Sequence, residues 1–214
     1  MVRYEGMEFV ESISASEIQE AVRRVAQAIN EDYVGREPLF VCVLNGAFMY
    51  ASDLMKHIKL PCEITFVRMK SYEGTETTGK VNMLIPLQED VKGRDVIIIE
   101  DIVDTGITMH AFMNELRDLG ANSVELTSFL YKPESLRYED AKPKYYGLAI
   151  PPAFIIGYGL DINEKEANGY TPLMLAAMLC GCTTNTTNTK VGRGEQTSCH
   201  NPYQQCYYLI TDFI

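Results

Sequence analysis

The chain has 214 residues, 46% of them hydrophobic and 22% charged, with a formal net charge of -10. Length and apolar content suit one α/β domain with a short appendage and exclude global disorder. The acidic balance argues against nucleic acid or an anionic membrane surface as the main partner, because those are held by clustered Lys and Arg.

In chain order, Met1 to Phe9 carries Arg3 with no apolar stretch behind it, so no signal peptide is expected. No run approaches the roughly 20 apolar residues of a membrane span, and the expected compartment is the cytosol. Ser14-Ala15-Ser16-Glu17 has the pattern of a capping box, and Ile18, Val22, Val25 and Ile29 follow at helical spacing. Leu39 to Leu44 is a continuous apolar run, closed by Asn45-Gly46 and followed by a helical stretch near residues 48 to 58. Such a run feeding a helix reads as a buried parallel strand. Cys62 to Met69 reads as another. Residues 70 to 82 are polar, contain Gly74 and Gly79 and lack apolar periodicity, which predicts a mobile loop long enough for a lid. Asp95 to Ile99 is an apolar run ending in Glu100-Asp101. Gly106 to Leu119 reads as a helix stopped by Gly120, and Val124 to Tyr131 as a strand. Tyr145 to Ile150 and Phe154 to Ile156 are shorter strand candidates separated by Pro151-Pro152.

This alternation implies βαβ units and a parallel sheet covered on both faces. Ligands in such sheets bind outside the carboxyl ends of the strands, and the most polar such place is Glu100-Asp101. Beyond Asp161 the character changes. Asp161 to Ala177, with Gly169-Tyr170-Thr171-Pro172-Leu173 at its centre, resembles the opening of an ankyrin repeat, with no second copy. Thr183 to Gln196 is Thr/Asn/Gly-rich and aperiodic, while Tyr207 to Ile214 is apolar enough for a strand. Cys42 and Cys62 read as small buried hydrophobes. Cys180, Cys182, Cys199 and Cys206 lie in the tail, where a reducing cytosol disfavours disulfides and the C-x-C spacing departs from a zinc site. His57, His110 and His200 show no partner and receive no role.

The chemistry concentrates in Val96-Ile-Ile-Ile-Glu100-Asp101-Ile-Val-Asp104-Thr105-Gly106-Ile107-Thr108. A hydrophobic strand delivers two adjacent carboxylates, which suit ribose hydroxyls and a hydrated Mg2+. A tight Asp-Thr-Gly turn then opens a helix. Its free N–H groups, with the hydroxyls of Thr105 and Thr108, make a phosphate cradle that Gly106 allows the ligand to approach closely.

This segment resembles the phosphoribosyl pyrophosphate motif of the type I phosphoribosyltransferases. Four neighbours narrow the likeness to the hypoxanthine/guanine phosphoribosyltransferases: Leu44-Asn45-Gly46-Ala47, Ser71-Tyr72 through Thr78-Gly79-Lys80, Leu130-Tyr131-Lys132-Pro133, and Phe154 through Asp161. The likeness is collinear over about 160 residues. It implies the type I fold, a central twisted, mainly parallel sheet flanked by helices, with a small hood that the foreign ending leaves incomplete. It also implies transfer of ribose 5-phosphate from phosphoribosyl pyrophosphate to a 6-oxopurine, with Mg2+ as cofactor and a homodimer or homotetramer as assembly. Glu100 and Asp101 would hold the ribose hydroxyls and the metal, with Asp161 serving a second metal. Asp104 would be the general base at purine N7. Thr105, Gly106, Ile107 and Thr108 would bind the 5′-phosphate. Leu44, Asn45 and Gly46 would present backbone donors to pyrophosphate, through a cis peptide at Leu44–Asn45. Lys132 would donate to the 6-oxo group, Phe154 would stack on the base and the Ile155 backbone would meet its edge. Ser71 and Tyr72 would form the tip of the closing loop.

The likeness stops near Asp161, which divides the chain into a domain over 1–161 and a tail over 162–214. Ala167, within Lys165-Glu166-Ala167-Asn168, stands where the family carries an arginine that contacts pyrophosphate. The sequence therefore leaves two further readings. One is an impaired enzyme with a C-terminal interaction segment, and the other is a nucleotide-binding regulatory protein. It does not decide among hypoxanthine, guanine and xanthine.

Overall fold

The computed structural model describes residues 2–4, 7–69, 83–153, 155–160 and 209–212. The chain opens with an antiparallel pair, β1 (Val2–Tyr4) and β2 (Met7–Ile13), and enters helix α1 (Ala15–Asp32). The α1 capping box is formed as expected. Glu17 N–H donates to Ser14 Oγ at 3.4 Å, and Ser14 N–H donates to Glu17 Oε2 at 2.8 Å. This satisfies two amides that the helix start leaves without partners, worth about 1 kcal/mol.

Next come β3 (Leu39–Leu44), α2 (Phe48–Met55), β4 (Glu63–Met69), β5 (Met83–Ile85), β6 (Asp95–Val103), α3 (Ile107–Asp118), β7 (Ser123–Tyr131) and β8 (Tyr145–Ala149). The main sheet has the order β5-β4-β3-β6-β7-β8, with β5 antiparallel to β4 and the other neighbours parallel. Its central strands alternate between two cores. Phe40, Cys42, Ile97 and Ile99 pack towards α1 and α2, while Leu39, Val41, Val96 and Ile98 pack towards α3. With both faces covered, β3 and β6 must be apolar at successive positions, which explains their unbroken aliphatic runs.

One expectation is corrected. The strand read as Asp95 to Ile99 continues through Glu100 and Asp101 to Val103. The long parallel partner β7 keeps pairing with it, setting Glu100 opposite Ser128 and Val103 opposite Tyr131. The acids are thus fixed in sheet geometry. The helix expected over 48 to 58 ends at Met55.

A second, smaller sheet has the order β1-β2-β10-β9, where β9 is Ile155–Ile156 and β10 is Leu209–Asp212. β10 pairs antiparallel with both β2 and β9, so the end of the tail contributes to this sheet. The expected lid (70–82) with Ser71 and Tyr72, then Phe154, Asp161, Ala167, the ankyrin-like motif and the four tail cysteines, lie outside the described residues.

Candidate active site

The carboxyl ends of β3, β4 and β6 open onto a cleft of about 470 Å³. Leu44, Asn45 and Gly46 line it from the β3–α2 turn, and Glu100, Asp101, Asp104, Thr105, Gly106, Ile107 and Thr108 line it from β6 and the start of α3. Two segments separated by about fifty residues in sequence therefore meet where a parallel sheet binds ligands. The Leu44–Asn45 peptide is cis.

The acidic pair sits in the floor of this cleft. Glu100 Oε2 is buried with no hydrogen-bond partner, and Asp101 Oδ1 accepts the N–H of Ile102 at 2.7 Å. Burial pushes the Glu100 carboxyl well above the usual carboxylate range, and the neighbouring Asp101 charge adds to it. Burial also raises Asp101. An orphaned carboxylate oxygen beside a second buried carboxyl is costly unless a cation or hydroxyl donors arrive. The residues present therefore fit a hard divalent cation with ribose hydroxyls. Gly46 lies against this pair, and a Cβ there would overlap the Asp101 carboxylate. Cys42, buried beneath, has its thiol pushed up to about 12 by burial and by Glu100 and Asp101, so it stays protonated, as its reading as a buried hydrophobe expects.

At the head of α3, Gly106 caps the helix with φ 75 and no side-chain cap bond. His110 N–H is bonded to Gly106 O at 2.8 Å, so helix geometry leaves the amides of Ile107, Thr108 and Met109 without intrahelical acceptors. Of these, the Ile107 N–H donates to Thr105 Oγ1 at 3.5 Å. These donors and the helix dipole make the cradle suited to a phosphate dianion. The structure supplies a further reason for glycine at 106. Besides the positive φ, a Cβ would come within 2.9 Å of Leu136 Cδ1 and 3.0 Å of Ala141 Cβ.

Asp104 does not cap the helix. Its Oδ2 accepts from Lys132 Nζ at 2.8 Å, and the Lys132 N–H donates to Val103 O at 2.9 Å. The Lys132 side chain is only 12% exposed whereas that of Asp104 is 48% exposed, so the carboxylate faces the cleft with the ammonium behind it. Ile155 is placed differently. It is buried in β9, paired with Thr211, and does not line the cleft.

Two features were not read from the sequence. Arg68 lines the cleft from the end of β4, opposite Leu44, and is the one cationic side chain among the described lining residues. An arginine near the end of an otherwise apolar run was the available signal. His110 does have partners: its Nδ1 lies 2.8 Å from the Asp140 carboxylate, and its ring stacks on Tyr138 at 4.2 Å. The His110–Asp140 pair spans 30 residues of sequence, so no local spacing could reveal it.

Comparisons with known proteins agree with this geometry. The model of the phosphoribosyl transferase domain matches residues 12–163. The hypoxanthine-guanine phosphoribosyltransferase of Lactococcus lactis subsp. lactis is 37% identical over 157 residues, covering 73% of this chain and 85% of the relative. That of Streptococcus pneumoniae strain R6 is 35% identical over 157 residues, covering 73% and 87%. The crystal structure of a hypoxanthine-guanine phosphoribosyltransferase from Bacillus anthracis superposes with a TM-score of 0.67 at 36% identity, covering 78% of this chain and 94% of that one.

Proposed function

The chain belongs to the hypoxanthine-guanine phosphoribosyltransferase family, and we propose that it transfers ribose 5-phosphate from phosphoribosyl pyrophosphate to hypoxanthine or guanine. The products are IMP or GMP and pyrophosphate, a purine-salvage reaction. The observation that carries this reading is the single cleft in which the acidic pair, the head of α3, the 44–46 turn and Asp104 converge.

The α3 amides with Thr105 and Thr108 hold the 5′-phosphate and anchor the ribose. Glu100 and Asp101 take its 2′- and 3′-hydroxyls, which orients C1′ towards the base. The bond from C1′ to the pyrophosphate oxygen breaks, the purine N9 lone pair forms the new C1′–N9 bond, and Asp104 takes the proton from N7. Lys132 holds the adjacent 6-oxo group, where adenine would present an amino donor to an ammonium and be rejected. Backbone donors of residues 44–46 and the Arg68 guanidinium face the departing pyrophosphate and stabilise its growing charge. Glu100 and Asp101 would hold a magnesium ion, and Asp161 would serve a second one, as the family resemblance implies; bound there, such ions would supply positive charge near the leaving group. Phe154 stacks on the base and the backbone of Ile155, whose side chain is buried in β9, meets its edge, while the loop carrying Ser71 and Tyr72 closes to exclude water. The working form is a homodimer or homotetramer in the cytoplasm, with residues 1–161 as the catalytic domain. Among the described residues no helix is long and apolar enough to cross a membrane.

The test is base selectivity coupled to pyrophosphate release. With hypoxanthine the full chain should release one pyrophosphate per nucleotide formed, and with adenine release should fall at least about a hundredfold. Equal turnover of adenine, or pyrophosphate release without nucleotide, would overturn the assignment.

A further inference from the structure

The turn Gly157–Leu160 is closed by a hydrogen bond from Leu160 N–H to Gly157 O at 3.0 Å. Its backbone is unusual. Gly157, Tyr158 and Gly159 have φ of 107, 50 and 97 in succession. A left-handed conformation at Tyr158 is one that side chains other than glycine disfavour, so something must hold it there. The Tyr158 ring packs on Phe129 at 4.7 Å, and its hydroxyl donates to Asp53 Oδ2 at 3.0 Å. Asp53 is 3% exposed on α2 and also accepts from Gln19 Nε2 of α1 at 2.8 Å and Lys56 Nζ at 2.7 Å. A buried carboxylate with three donors from separate places is a fixed point of the fold.

The position of this fixed point ties it to the cleft. Helix α2 starts directly after the 45–47 turn, and the clamped turn rests on the same residues. A Cβ on Gly159 would stand 2.5 Å from the carbonyl oxygen of Gly46. Gly46 in turn has no room for a Cβ on its other side, because Asp101 is there. The 157–160 turn, the 44–46 turn and Asp101 are therefore stacked in contact through Gly46.

We propose that Tyr158 and Asp53 are positioning residues that couple the base subsite to the pyrophosphate subsite. Their hydrogen bond holds Gly159 against Gly46, so an occupant of either subsite favours the arrangement the other requires. This rests on the assignment of residues 44–46 to pyrophosphate and of the 155–160 segment to the base. Coupling of this kind is reciprocal. Each ligand must raise the affinity for the other by the same factor, typically about 5- to 150-fold.

The probe is 9-deazahypoxanthine, which has carbon in place of N9 and forms no N-glycosidic bond. Its Kd is measured by calorimetry with and without saturating phosphoribosyl pyrophosphate and Mg2+. In the unaltered protein we expect a coupling factor of at least about fivefold. Tyr158→Phe removes only the hydroxyl and should cut that factor at least about threefold, with both substrates' KM values rising together. Asp53→Asn, which keeps an oxygen acceptor for Tyr158, should retain more of it. Tyr145→Phe removes a hydrogen bond of the same type, 2.7 Å to Asp32 and between β8 and α1, and should leave the factor unchanged. A Tyr158→Phe protein with undiminished coupling overturns the proposal, as does an equal loss in Tyr145→Phe. If the unaltered protein binds neither ligand, the functional assignment falls as well. If it binds both and only the coupling result fails, the clamp alone is wrong.

Discussion

Lys132 and Asp104 are two residues to which the proposed function gives recognition of the base. Lys132 Nζ donates to Asp104 Oδ2 at 2.8 Å, and a 6-oxopurine would offer one acceptor to the ammonium and one donor to the carboxylate. Lys132→Ala should therefore lower kcat/KM for hypoxanthine about 10- to 150-fold, the equivalent of a charge-assisted hydrogen bond of about 1.5–3 kcal/mol, with little change in Tm. An unchanged kcat/KM would remove Lys132 from the site. Gly106 is constrained by shape. With φ 75 and Leu136 2.9 Å from a would-be Cβ, Gly106→Ala should destabilise the fold by about 1–3 kcal/mol in urea unfolding and weaken phosphoribosyl pyrophosphate binding. At this scale the sequence was most informative where chemistry is local, as in the run from Glu100 to Thr108. It was silent where partners are distant. The Tyr158–Asp53 bond joins residues 105 apart, and nothing in either neighbourhood announces it.

Among the elements, β6 and β7 form the rigid floor that delivers the acids, and their amino ends are stapled by Asp95. Its Oδ1 accepts from Ser123 Oγ at 2.6 Å and Asn122 Nδ2 at 2.7 Å. The Ser123 hydroxyl first, then Asn122, holds the Asp95 carboxyl below its ordinary range. A carboxyl lowered in the folded state contributes stability that is present above its unfolded value of about 4 and is lost as pH falls through the folded value. Thermal melts should accordingly show Tm dropping below about pH 4, and Asp95→Asn should flatten that acid limb while lowering Tm at pH 7. An identical acid limb in the variant would show that Asp95 does not contribute. Elements buried on both faces, β3 and β7, were legible to within a residue because they must be apolar throughout. β1, β2 and β5 were not, since two are only three residues long and β2, Met7–Ile13, interleaves acids without a clear run. The placing of the acids on β6 was legible, while the strand's extension beyond the apolar run to Val103 depends on pairing with β7, which no local pattern shows.

At the level of the whole molecule, the small sheet takes one strand from the end of the tail, β10, between β2 and β9. Removing residues 209–214 would leave the facing edges of β2 and β9 without their shared partner. We expect that truncation to lower Tm and to raise KM for the purine more than for phosphoribosyl pyrophosphate. Full activity after truncation would instead favour a tail that serves only as an interaction segment. Ala167 stands at the position where the resemblance expects an arginine, and Arg68 is the cationic side chain among the described residues lining the cleft. All of this depends on the cleft performing the transfer. The most direct measurement is IMP formation by the full-length chain from hypoxanthine, phosphoribosyl pyrophosphate and Mg2+, beside Asp104→Asn. The account predicts turnover by the unaltered protein and a loss of about 10²- to 10⁴-fold in kcat for the variant, with phosphoribosyl pyrophosphate still bound. No IMP from the full chain, or an Asp104→Asn protein as fast as its parent, would contradict it.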